Sequence, residues 1–63
     1  MDLIRKLDET ASALRELASQ VRQAAPESED PALRAEMLES ASGLEQRAND
    51  LTEAVARLRV KIN

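Results

Sequence analysis

The sequence of 63 residues has no cysteine, no histidine, and no phenylalanine, tyrosine or tryptophan. Without cysteine there is neither a disulfide staple nor a thiolate metal site. Without histidine or cysteine the hydroxyl–imidazole and thiol–imidazole nucleophile pairs are excluded, and so is the Glu-x-x-His element of carboxylate-bridged metal bundles. Without aromatic rings a core must be built from Leu, Ile, Val, Met and Ala, and nothing is available to stack on a nucleotide base. Glycine and proline number only one and two, so helical segments should be long and breaks few. No apolar run approaches a membrane span, and Arg5, Lys6 and Asp8 break up the first apolar stretch in a way no signal peptide does. A cytoplasmic location, no membrane contact and no cofactor are the expectations.

What is present is a mixed-charge, strongly periodic chain. One third of the residues are charged, with a net charge of -3, and the apolar content is too high and too regular for a disordered tail. A chain this short makes at most one domain and buries too little surface to be comfortably stable alone.

The only linker-like stretch is "APESEDP", residues 25–31. Pro26 should close the segment before it and bias Ala25 away from helical angles. Asp30 followed by Pro31 has the form of an N-cap with proline at the first helical position. The expectation is an all-α antiparallel hairpin, with helix 1 over about residues 2–25, a loop at 26–30 and helix 2 over about 31–62.

Both helices carry a 4-3 apolar seam. Ile4, Ala11, Ala18 and Ala25 occupy position a of helix 1, and Leu7, Leu14 and Val21 position d. Helix 2 has Ala41, Ala48, Val55 and Ile62 at a, and Met37, Leu44, Leu51 and Leu58 at d. Folding about residues 26–30 sets Ala11 beside Ala48, Ala18 beside Ala41, Leu7 beside Leu51, Leu14 beside Leu44 and Val21 beside Met37. Small layers then alternate with large ones. In this register Leu58 and Ile62 overhang helix 1. Leu3, Leu17, Ala24, Leu33, Leu38 and Ala54 also widen the apolar stripes beyond what one partner covers. A second copy is the simplest cover, giving a homodimeric four-helix bundle. A groove around Leu3, Leu38, Leu58 and Ile62 is the place where an amphipathic helix of another protein would dock instead.

Helix 2 has one weak region, "SASGLEQRAND". Gly43 costs about 1 kcal/mol relative to alanine, and Ser42 to Glu45 matches a capping box, so a break near residue 42 competes with a continuous helix. The seam keeps its phase from Met37 through Ala48, which favours continuity.

Charge is polarised along the hairpin. Residues 26–45 sum to -5 and residues 46–63 to +2. Arg5, Lys6, Arg57, Arg59 and Lys61 gather at the open end, while Glu27, Glu29, Asp30, Glu36 and Glu39 gather near the turn. Helix-dipole complementation, steering of a second hairpin and phosphate binding each account for part of this. An acidic chain without aromatics has a weak nucleic-acid footprint, so a nucleic-acid regulator using the basic end is the rival reading. Asp8, Glu9, Glu36 and Glu39 fall off the seam, where a carboxylate is solvated and unsuited to catalysis. No enzyme activity is expected.

Residues 40–60, "SASGLEQRANDLTEAVARLRV", resemble the last cytoplasmic helix of methyl-accepting chemotaxis receptors at Ser40, Ala41, Leu44, Gln46, Ala48, Leu51, Ala54, Val55 and Leu58. That family usually has phenylalanine where this chain has Leu58, and its distinctive hairpin tip is absent here. The resemblance implies shared packing, a dimeric four-helix bundle. In length and layer pattern the chain is also similar to the small RNA-binding Rop family, an architectural parallel without a shared motif. The functional expectation is a protein-interaction or scaffolding module. Helix 2 stops without a C-cap glycine, which leaves room for a longer parent protein.

Overall fold

The computed structural model describes residues 2–62. Two α-helices, α1 (Leu3–Ala24) and α2 (Pro31–Ile62), form a hairpin joined by a 3-10 turn at Ala25–Glu27 and a short extended segment. Asp30 caps α2 as its sequence position predicts: its Oδ1 accepts a hydrogen bond from the Ala32 N–H at 2.9 Å. α2 runs unbroken through Gly43, so the capping-box match at Ser42 is not used. Pro26 does not act as expected on its neighbour. Ala25 keeps helical angles, because the chain tightens into the 3-10 turn around Pro26 and leaves helical geometry only at Ser28.

The register differs from the one expected. Asp8 of α1 reaches Arg59 of α2, Arg15 reaches Asn49 and Thr52, and Arg22 reaches Ser42 and Glu45. Each partner lies about one heptad further along α2 than the expected pairing allows. Ala11 is therefore level with Val55, Ala18 with Ala48 and Ala25 with Ala41, and these six are the buried apolar residues. The physical reason lies in the connection. Residues 25–30 do not turn back at once; they climb beside the first turns of α2, where the Arg34 guanidinium donates to the Ser28 carbonyl at 2.8 Å. A helix of 32 residues spans about 48 Å at 1.5 Å per residue, and α1 plus this strap matches it. Leu58 consequently lies beside the Leu7 level of α1 and does not overhang it. Ile62 ends α2, and its side chain lies outside the described ones.

The molecule measures 50 × 15 × 11 Å, with a radius of gyration of 14.8 Å. A compact chain of this length would have about 11 Å. The hairpin is one layer of secondary structure, whereas globular domains pack two or more.

Candidate functional site

With a at the centre of the α1–α2 contact, helical geometry puts e on one flank and d and g on the other. The two flanks have different chemistry.

The e flank is polar and closed. Asp8, Arg15 and Arg22 recur at seven-residue spacing on α1 and meet Arg59, Thr52 and Glu45 on α2. Arg59 Nη2 donates to Asp8 Oδ2 at 2.9 Å. Arg15 Nη2 donates to Thr52 Oγ1 at 2.8 Å and to Asn49 Oδ1 at 3.2 Å. The Thr52 hydroxyl in turn donates to the Ala48 carbonyl at 3.0 Å, which leaves its lone pairs facing Arg15. Arg22 pairs with Glu45 and also approaches the Ser42 hydroxyl. The hydrogen bond from Arg22 holds the Glu45 carboxyl below the usual carboxylate range, outweighing partial desolvation, and the same bond raises the Arg22 guanidinium.

The d/g flank is apolar and open. Leu7, Leu14 and Val21 of α1 share it with Met37, Leu44, Leu51 and Leu58 of α2, and all seven are only half-buried. Beside them Leu3 is 50% exposed, and Leu17 and Leu33 are each 46% exposed. Among the described residues no large side chain is fully buried; the core is five alanines and Val55. A shallow depression of about 630 Å³ near the open end continues this surface over Ala54 and Leu58, with Arg57 and Lys61 in its lining.

Among the sequence-predicted interface residues whose side chains are described, all but three fall on this flank; Ile62, also predicted, has its side chain outside the described ones. Val55 is buried between the two helices and unavailable to a partner. Ile4 lies on the seam, half-buried. Leu38 is at an e position near the turn, so it does not join Leu3 and Leu58, which lie at the open end; the expected four-residue groove does not form. Val60, 77% exposed, was not predicted and lines the depression beside Leu58 and Lys61 on the outer side of α2.

The basic end is largely self-neutralised. Arg5 pairs with Asp2 at 3.1 Å and with Glu9 at 3.7 Å, Arg57 approaches Glu53 at 4.0 Å, and Arg59 is held by Asp8. Among the described residues, Lys6, Lys61 and Arg47 carry no ion pair, and neither do Glu27, Glu29, Glu36, Glu39 and Asp50. Of the carboxylates weighed for catalysis, Asp8 and Glu9 are taken by arginines and Glu36 and Glu39 are exposed. Among the described residues no cluster of acidic side chains is placed to hold a metal ion, and no helix is long and apolar enough to cross a membrane.

The ladder itself escaped the sequence reading. Its signal was the seven-residue recurrence of Asp8, Arg15 and Arg22 opposite Glu45, Thr52 and Arg59. Comparison with family models, with curated proteins and with solved structures gives no match to this chain.

Proposed function

We propose that the chain is a non-enzymatic protein-interaction or scaffolding module that works as a homodimer, two hairpins joined through their leucine flanks into a four-helix bundle. One observation carries this reading: every large apolar side chain of the d/g flank keeps part of its surface in water, while the residues that are fully buried are small. Five alanine methyls and one valine give little hydrophobic stabilisation at about 0.8 kcal/mol per buried methylene. A chain of this size needs more core than that. A contiguous apolar flank rimmed by charge is the usual mark of an interaction surface.

The pairing of Arg5, Arg57 and Arg59 with carboxylates supports this reading over nucleic-acid binding, because cations already neutralised release few counterions from a phosphate backbone. The likeness of residues 40–60 to a receptor helix enters only through shared packing. A cytoplasmic setting belongs to the proposal as its default.

Sedimentation equilibrium over a wide concentration range, with circular dichroism on the same samples, tests it. A helical dimer that loses helicity as it dissociates is the expected result. A helical monomer stable at every concentration would overturn it.

A further inference from the structure

We propose that the second copy docks with its turn at the opposite end, so that α2 lies antiparallel to the partner's α2 and α1 antiparallel to the partner's α1. This rests on the homodimer reading and specifies its geometry.

Exposed area comes first. The hairpin exposes 4890 Å², whereas a compact monomer of 6.9 kDa exposes about 4,000 Å². The excess of about 900 Å² is close to one side of a standard protein interface, about 800 Å².

Register comes second. Met37, Leu44, Leu51 and Leu58 are evenly spaced along α2, so setting Leu44 against the partner's Leu51 also sets Met37 against the partner's Leu58. The polar ladder fixes α1 on α2, so the pairing of α1 then has no freedom left. Leu14 then falls within a turn of the partner's Val21, and Leu17 lies within half a turn of the two-fold axis, within a turn of the partner's Leu17.

Charge is the third and independent observation. The offset chosen to match leucines brings Glu36 near the partner's Arg57, and sets Lys6 and Arg47 each about a turn or less from the partner's Glu27 and Asp50 respectively. Glu36, Lys6, Glu27, Arg47 and Asp50 all lack an ion pair within the hairpin among the described residues. Five of the six charges the docking pairs are ones the hairpin leaves over; the sixth, Arg57, has only the 4.0 Å approach of Glu53. Docking with both turns at one end does the reverse: it crowds Glu27, Glu29, Asp30 and Glu36 against their own copies and sets Arg57 near the partner's Lys6. Like charges so placed oppose association.

The cysteine-free chain makes the test direct. Leu17→Cys, mildly oxidised, should form a disulfide-linked dimer. Leu33→Cys alone should not, and Leu33→Cys mixed with Lys61→Cys should link the two variants. Glu36→Arg should weaken dimerisation about tenfold, as expected for two symmetric exposed pairs, and adding Arg57→Glu in the same chain should restore it. A chain that sediments as a dimer but links through Leu33→Cys and not Leu17→Cys overturns this docking and leaves the homodimer standing. A dimer that forms neither link overturns the docking as well. A monomer overturns the homodimer itself, leaving an amphipathic helix of another protein as the occupant of the flank.

Discussion

The e flank and the d/g flank run the same length of the same two helices, yet one is finished and the other is not. On the e flank each arginine finds an acceptor on the opposite helix within the hairpin. On the d/g flank, Leu3, Leu17 and Leu33 each leave nearly half their surface or more in water. Hydrogen bonds and ion pairs at a solvated rim add little stability, typically below about 1 kcal/mol each, but their geometry is directional. Apolar burial has the opposite character, contributing about 25 cal/mol per Å² without preference for direction. On the proposed dimer, the polar flank decides which residues meet and the apolar flank supplies most of the stability.

The sharpest way to break this contrast is Leu51→Asp, which puts a charge on the apolar flank and leaves the ladder untouched. Loss of assembly and of most helicity is expected, a cost above about 3 kcal/mol for a charge buried without a partner, read by sedimentation and circular dichroism. A helical chain with unchanged mass would show that the flank is ordinary surface. Ala18→Leu probes the closed seam, where no room exists for three more carbons. Overpacking should cost about 1–3 kcal/mol, seen as a lowered denaturation midpoint. Gly43 sits outside both flanks, and a methyl group there would meet nothing within 4 Å. Gly43→Ala should therefore stabilise the protein by about 1 kcal/mol in chemical denaturation. The smallest effect is expected on the ladder. Because Arg22 lowers the folded-state pKa of Glu45, their pairing contributes stability at neutral pH and loses it as pH falls through that lowered value. An NMR titration should find Glu45 more acidic than the exposed glutamates, and Glu45→Gln should flatten the acid side of the stability profile.

Much of the fold was legible from spacing alone. The 4-3 seam, the Asp30–Pro31 start and the unbroken phase through Gly43 each have a local cause, and each is found. The register was not legible, and the alanines explain why. Ala11, Ala18 and Ala25 face Val55, Ala48 and Ala41, and a shift of one heptad still sets alanine against alanine in two layers, Ala11 with Ala48 and Ala18 with Ala41, as many as the observed register does. Only the ladder distinguishes the alternatives, through the matching of Arg59 to Asp8 and Arg22 to Glu45. The exposed leucine flank was foreseeable from the extra residues Leu3, Leu17 and Leu33. Leu38 was grouped with it wrongly because width of stripe says nothing about which edge a residue occupies.

The alanine core has a consequence for abundance. On the proposed assembly, folding and association are a single event, so the folded fraction rises with the total amount of chain. A cell holding few copies would carry mostly unfolded polypeptide open to proteases, and one holding many would carry a persistent bundle. Expression level would then act as the protein's own threshold, with no ligand or modification needed to set it.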